Sequence, residues 1–203
     1  MSRKNPTLLS DGKALIEVNP NRFARGGFKL FSEDWKNTVH QLEKMTTVFN
    51  IDGGHLLSDP GGTWIYLIDD DSAYNYDFSN LSPSVLGNYA GLSLEVISVL
   101  PAMDIWQTLG FEKQSGSLEQ GWISLSNSDG ITLSLMGPNS CPHLFFNPSL
   151  TYFNGKENPA VIKRIRDLGI PITEEITVFN EEGLVDNIII RDPDGYGFFI
   201  FND

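Results

Sequence analysis

The stretch DPDGYGFFIFND, residues 192–203, joins a turn to a dense aromatic strand. Asp, Pro and Gly in close succession favour a tight turn, and the aromatic run behind them favours a β-strand. The chain contains nearly the same phrase much earlier, as DPGGTWIYLIDD at residues 59–70. A phrase that recurs within one chain indicates an internal repeat.

The repeat extends well beyond this phrase. SDGKALIEVNPN at residues 10–21 aligns without a gap with SDGITLSLMGPN at residues 128–139. The first copy continues with a predicted strand over residues 26–31 and an amphipathic helix that begins at Ser32 as its N-cap. The second copy continues in the same order, with a strand over 149–155 and then a helix. The repeated unit is therefore predicted to be β-α-β-β-β.

A third unit is predicted between the two copies. Residues 91–100 read as a strand and residues 101–111 as a short helix, followed by a hairpin about Asn-Ser-Asp-Gly. The predicted organisation is an incomplete half over 1–70, made of a tail hairpin and one module, then a polar linker over 71–90. Two complete modules are predicted over 91–203.

Composition and charge restrict the classes of function. The formal net charge of −12 disfavours nucleic acid and anionic membranes as partners, and it permits a cationic ligand. No apolar run approaches the roughly 20 residues that span a bilayer. Cys141 is the only cysteine, which excludes an internal disulfide and a cysteine-based zinc site. We expect a cytoplasmic protein.

Three motifs resemble those of the vicinal oxygen chelate superfamily, which contains glyoxalase I, bleomycin-resistance proteins and extradiol dioxygenases. They are LGFE at 109–112, LGIPI at 168–172 and RDPDGYGFFIF at 191–201. The resemblance implies an α+β fold in which β-α-β-β-β modules form cup-shaped mixed sheets with helices on the convex side. It implies either a metal-dependent lyase, isomerase, dioxygenase or thiol transferase, or a metal-free binder of small molecules.

The metal ligands that the resemblance implies are mostly absent. Metal-using members place a His or Gln early in the first strand of each module and a Glu in the middle of the last strand. At the aligned Glu positions this chain has Tyr66, Leu135 and Phe199, and only Glu17 matches. We therefore expect no bound metal and no other cofactor, and we identify no catalytic residue.

Strand alternation predicts an aromatic ligand-binding surface in place of a metal site. Such a surface suits a flat or cationic organic ligand, although the same aromatic residues are also suited to fill a core between sheets. The predicted ligand-binding residues are Glu17, Trp64, Tyr66, Leu135, Tyr152, Phe199 and Phe201.

Three functions stay open at the level of sequence. The first is a metal-free, small-molecule-binding member of the superfamily, and the second is a metal-dependent lyase or dioxygenase with displaced ligands. The third is a degenerate structural or regulatory module. The unpaired N-terminal module also predicts either a homodimer through that module or its packing back onto the C-terminal pair.

Overall fold

A computed structural model describes residues 7–10, 12–13, 15–21, 23–70, 81–141, 143 and 147–202. Half of the predicted linker, residues 71–80, lies outside the described residues. No described helix is long and apolar enough to cross a membrane.

The described residues form three helices and fourteen strands. In chain order these are β1 (Thr7–Ser10), β2 (Leu15–Val18), β3 (Gly27–Ser32), α1 (Lys36–Leu42), β4 (Phe49–Ile51), β5 (Gly54–Ser58), β6 (Trp64–Asp69), β7 (Tyr89–Glu95), α2 (Val99–Thr108), β8 (Glu112–Ser117), β9 (Trp122–Ser126), β10 (Thr132–Met136), β11 (Ser149–Phe153), α3 (Asn158–Asp167), β12 (Ile172–Ile176), β13 (Asn187–Arg191) and β14 (Gly197–Phe201). The α+β class and the repeated β-α-β-β-β modules predicted from the sequence are confirmed.

One compact unit contains the β1–β2 hairpin and the C-terminal module, β11-α3-β12-β13-β14. The strand order in this module is β12-β13-β14-β11, and the start of β7 follows β11. β11 and β14 are parallel, whereas β13 is antiparallel to both of its neighbours. The crossover from β11 through α3 therefore returns the chain to a parallel strand of the same sheet.

The other compact unit contains the N-terminal module, β3-α1-β4-β5-β6, and the middle module from residue 92 to β10. Their strand orders are β3-β6-β5-β4 and β7-β10-β9-β8. The first and last strands of each module are thus neighbours, as in the C-terminal module. The predicted domain boundaries at 70 and 91 stay a prediction.

Helix boundaries differ from the sequence prediction at two places. Helix α1 begins at Lys36 rather than Ser32, because Ser32 still belongs to β3 and the Oδ1 atom of Asp34 accepts a hydrogen bond from the Lys36 N–H at 2.9 Å. Helix α2 begins at Val99, so Pro101 lies in its first turn instead of opening it. Strand β8 is polar and exposed over most of its length, and it was not predicted from the sequence.

Hydrophobic spacing in α3 explains how the C-terminal module is packed. Val161, Ile162 and Ile165 recur at helical spacing and are buried. Gly169 follows the helix with φ +67°, a left-handed conformation that glycine adopts without steric cost. Gly169 is therefore suited to end this helix.

Candidate ligand-binding site

The recurring turn has the same hydrogen bonds in all three modules. The Oδ1 atoms of Asp59 and Asp192 each accept from the backbone N–H groups two and four residues further along, at 2.9 and 2.9 Å for Asp59 and at 2.9 and 2.7 Å for Asp192. Asn127 of the middle module makes the same pair of bonds through its amide oxygen, at 3.1 and 2.9 Å. The repeated phrase thus closes each hairpin, and an acid is not required for it.

The three turns have the same hydrogen bonds, so the turn glycine is an equivalent position in each module. Counting from this glycine identifies the equivalent residues of the three last strands. The fourth residue after the turn glycine is Tyr66 in β6, Ser134 in β10 and Phe199 in β14. The sequence alignment had placed Leu135 at this position, one residue too late. In a strand a shift of one residue moves a side chain to the opposite face.

The last strand of the N-terminal module has two different faces. Ile65 and Leu67 are fully buried on one face, and Phe28 of β3, the register partner of Ile65, meets the indole of Trp106 in α2 at a ring-centroid distance of 5.2 Å. This face is therefore covered by a helix. Trp64 lies on the opposite face, together with Tyr66.

Trp64 and Tyr66 are half-buried and face away from the helices. Lys29 of β3 is the register partner of Tyr66 and is exposed, and Leu56 of β5 pairs with Tyr66 on its other side. Two neighbouring aromatic side chains, an aliphatic side chain and an ammonium group therefore share this surface, which we call the aromatic face. Both aromatic positions were predicted from the sequence.

The predicted residues of the C-terminal module lie on two faces of its sheet. Phe199 and Phe201 share one face, and their rings stack at 5.2 Å with an interplanar angle of 13°. Tyr152 pairs with Ile200, so it lies on the other face and meets the ring of Tyr89 edge-on at 5.6 Å. Phe199 and Tyr152 are 1% and 3% exposed, so both are core residues in this structure.

Two further predicted residues lie elsewhere. Glu17 is in the β1–β2 hairpin, where it pairs with Leu8 and is half-buried. Leu135 is fully buried on the face of β10 that it shares with Leu133. The ligand-binding role of all seven predicted residues stays a prediction.

The unit that contains the N-terminal and middle modules has a cleft that was not predicted from the sequence. Its volume is about 260 Å³. It is lined by Met45, Thr46, Ser58, Asp59, Pro60, Pro101, Asp104 and Ile105. The lining residues come from segments far apart in the chain, so no local sequence pattern signals it.

Asp59 is the least exposed polar residue of this cleft, with 3% of its surface exposed. Besides its two backbone donors, it accepts a hydrogen bond from the indole N–H of Trp106 at 3.3 Å. Burial raises the pKa of Asp59 above its usual 3.8, while the hydrogen bonds from Thr63, Trp106 and Gly61 oppose that rise. Desolvation is the largest of these effects.

The described residues do not bring together three or more His, Cys, Asp or Glu side chains that could hold a metal ion. His40 lies in the last turn of α1 and is exposed, whereas His55 is a half-buried residue of β5. Histidine ligands at the first strands of the modules are also missing from the sequence, since β3, β7 and β11 contain none.

No protein-family model and no curated protein matches the chain. Several solved structures, in contrast, are similar to the chain. A point mutant of homoprotocatechuate 2,3-dioxygenase from Brevibacterium fuscum has a TM-score of 0.55 at 12% identity, with 100% of this chain and 63% of that chain covered. A mutant of 4-hydroxymandelate synthase from Streptomyces coelicolor has a TM-score of 0.54 at 12% identity, covering 96% and 79%.

A third similar structure is 2,2',3-trihydroxybiphenyl 1,2-dioxygenase from Sphingomonas wittichii strain RW1, with a TM-score of 0.51, 12% identity and coverage of 98% and 83%. These matches extend over almost the whole chain and agree with the motif resemblance and with the three modules. The chain has the vicinal oxygen chelate fold. An identity of 12% establishes the fold and leaves activity to the residues of the site.

Proteins of the vicinal oxygen chelate fold that use a metal take a carboxylate from the middle of the last strand of a module. The structure places Tyr66, Ser134 and Phe199 at this position in the three modules. A phenol, a hydroxyl and a phenyl group replace the glutamate, and Phe199 is additionally buried. The residues present therefore do not fit the metal site that the fold family implies.

Proposed function

We propose that this chain is a small-molecule-binding protein of the vicinal oxygen chelate fold, and that the aromatic face of its N-terminal module binds a planar organic ligand. The observation that carries the proposal is the pair Trp64 and Tyr66. Both side chains are half-buried on the face that α2 does not cover. Aromatic side chains of this kind stack on planar ligands and contribute roughly 0.5–1.5 kcal/mol per ring beyond buried area.

The charge of the ligand follows from two opposing effects. The net charge of −12 raises the local concentration of a cation around the protein, and a cation also gains from an indole face. Lys29 on the same surface opposes a cation placed directly beside Tyr66. A planar cation is therefore expected to bind over Trp64, whose register partner is Gly27 rather than Lys29.

Fluorescence titration tests the aromatic face directly. Proflavine serves as a planar cation and 2-naphthoate as a planar anion, and binding of either is followed by the fluorescence anisotropy of the probe itself. Trp64→Leu is expected to weaken the preferred probe about tenfold, which corresponds to about 1.4 kcal/mol. The matched control is Trp122→Leu, because Trp122 is 39% exposed on a strand of the middle module. Equal weakening by both variants, or no saturable binding of either probe, would refute the proposal.

Metal content distinguishes this function from a metal-dependent lyase or dioxygenase. The chain is purified without chelators, and its transition-metal content is measured by mass spectrometry. Tyr66, Ser134 and Phe199 offer no carboxylate, so we expect far less than one equivalent of Fe, Mn, Zn or Ni. One equivalent that survives dialysis would favour the enzyme.

A further inference from the structure

The cleft beside Asp59 is separate from the aromatic face. Its walls come from the segment that follows α1, from the end of β5 with the turn behind it, and from α2. None of its described lining residues belongs to the aromatic face. A ligand in this cleft would therefore contact a different part of the unit from a ligand that stacks on Trp64.

Two hydrogen bonds hold the walls of the cleft together. The Oγ1 atom of Thr46 donates to the carbonyl oxygen of Ser58 at 3.5 Å, which connects the segment after α1 to β5. The indole N–H of Trp106 in α2 donates to the Oδ2 atom of Asp59 at 3.3 Å, which connects this helix to the turn after β5. The three walls are thus fixed relative to one another by the fold itself.

The charged groups of the cleft are both negative. Asp59 is buried and Asp104 is an exposed residue of α2, and none of the described lining residues is Lys, Arg or His. Burial penalises the charged form of Asp59 and raises its pKa, and a cation beside the carboxylate would offset this penalty. A carboxylate oxygen that already accepts one donor can accept a second one. The cleft therefore favours a ligand with a positively charged donor group.

The remaining walls are largely apolar. They include the buried Ile105, the half-exposed Met45 and two prolines, Pro60 and Pro101. The volume of about 260 Å³ equals that of about nine water molecules at roughly 30 Å³ each. Ca²⁺ takes about six to eight oxygen ligands, whereas the described lining supplies two carboxylates beside apolar groups. An organic cation with a short aliphatic body fits both parts of the cleft.

We propose that this cleft binds a small primary alkylammonium ion. Its ammonium group, which carries three donors, contacts the carboxylates of Asp59 and Asp104. Its aliphatic body lies against Ile105 and the two prolines. The net charge of −12 raises the local concentration of such a cation. The proposal does not depend on the proposed function, because the two sites have no lining residue in common.

An NMR titration of the isotope-labelled full chain tests the site with three probes of the same branched shape. They are 3-methylbutylammonium as the cation, 3-methylbutan-1-ol as the neutral analogue and 3-methylbutanoate as the anion. The readout is the assigned indole N–H resonance of Trp106, because this group is hydrogen-bonded to Asp59. The indole resonance of Trp64 reports on the aromatic face in the same spectra.

The cation is expected to shift the Trp106 resonance saturably, with a Kd on the order of 1 mM for a ligand of this size. The alcohol should bind at least about tenfold more weakly, and the anion should cause no shift, because the carboxylates favour only the cation. No Trp106 shift with about 50 mM cation, or equal affinities for cation and alcohol, would overturn the proposal. A shift confined to Trp64 would also overturn it, while supporting the aromatic face as a binding surface.

Single substitutions then locate the ammonium group. Asp104→Asn, on the exposed side of α2, is expected to weaken binding of the cation about threefold. Asp59→Asn is expected to weaken it about tenfold, read from the backbone amide of Ile105, and Asn127 shows that an amide can make the same turn bonds.

The matched control is Asp52→Asn, since Asp52 is an exposed residue of the β4–β5 turn and its substitution changes the net charge equally. Less than a twofold change in affinity is expected for this variant. Equal weakening by Asp52→Asn and Asp104→Asn would show that only the overall charge attracts the cation, which would overturn the site. This comparison decides the proposal even if Asp59→Asn does not fold.

Discussion

Asn158→Ala tests the best-satisfied buried amide of the C-terminal module. Asn158 is the first residue of α3 and is 0% exposed. Its Nδ2 donates to the backbone oxygens of Asp186 at 2.5 Å and Ile200 at 3.2 Å, and its Oδ1 accepts from the side chain of Asn154 at 2.8 Å. One side chain therefore connects the start of α3 to β14 and to the segment that precedes β13.

The expected loss of stability follows from these three bonds. Alanine leaves the oxygens of Asp186 and Ile200 without this donor, and an unsatisfied buried polar group costs about 1–3 kcal/mol. The longer bond to Ile200 belongs at the low end of that range, and the bond from Asn154 adds a further contribution. We expect a total of about 3–5 kcal/mol, a large fraction of the roughly 5–15 kcal/mol that stabilises a typical domain.

Urea unfolding monitored by circular dichroism measures this loss as a shift in the midpoint at constant m value. Asn158→Asp keeps the side-chain volume but replaces the donor by a carboxylate, and we expect it to be at least as destabilising. The control is Asn180→Ala, since half-buried Asn180 makes one long bond to Asp186 at 3.4 Å and one exposed bond from the Glu182 N–H at 2.9 Å, and its loss is expected to cost under about 1 kcal/mol. A loss below about 1 kcal/mol for Asn158→Ala, or a stable Asn158→Asp, would refute the reasoning.

Asp59→Asn should change how stability depends on pH. The raised pKa of Asp59 means that its contribution to stability is complete below pH 3.8 and is lost as pH rises through the folded pKa. Thermal melts should therefore show that the wild type loses stability relative to the variant over that window. A constant difference in stability between the two proteins would contradict this. Asp192→Asn should lower the free energy of unfolding in urea only slightly, because Asn127 makes the same turn bonds with an amide. Asp192→Ala should lower it by about 1–2 kcal/mol. Equal losses for the two variants would contradict the equivalence of the turns. Burial, then the charges of Asp192 and Tyr89, raise the pKa of Tyr196. Phenolate absorbance should therefore show that Tyr196→Phe leaves the main tyrosine titration near pH 10 unchanged, and a loss of one tyrosine's amplitude there would show that Tyr196 ionises normally.

The sequence determined the modules because their signals are local. Each hairpin turn requires an Asp or Asn and a Gly at a fixed offset, and Asp59 and Asp192 meet this requirement with the same two bonds. Alternating side chains then placed Trp64 and Tyr66 on one face of β6. These features depend only on neighbours within a few residues, so the residue pattern is sufficient to predict them.

The tertiary structure decided which of these faces is open and which is core. An error of one residue in alignment exchanged Ser134 for Leu135, and only strand register resolves such an error, because successive side chains point to opposite faces. The burial of Asp59 depends on Trp106, which is distant in the chain but adjacent in space. The outer position of β3 likewise depends on which strands pair, and pairing between distant strands leaves no mark in the local sequence.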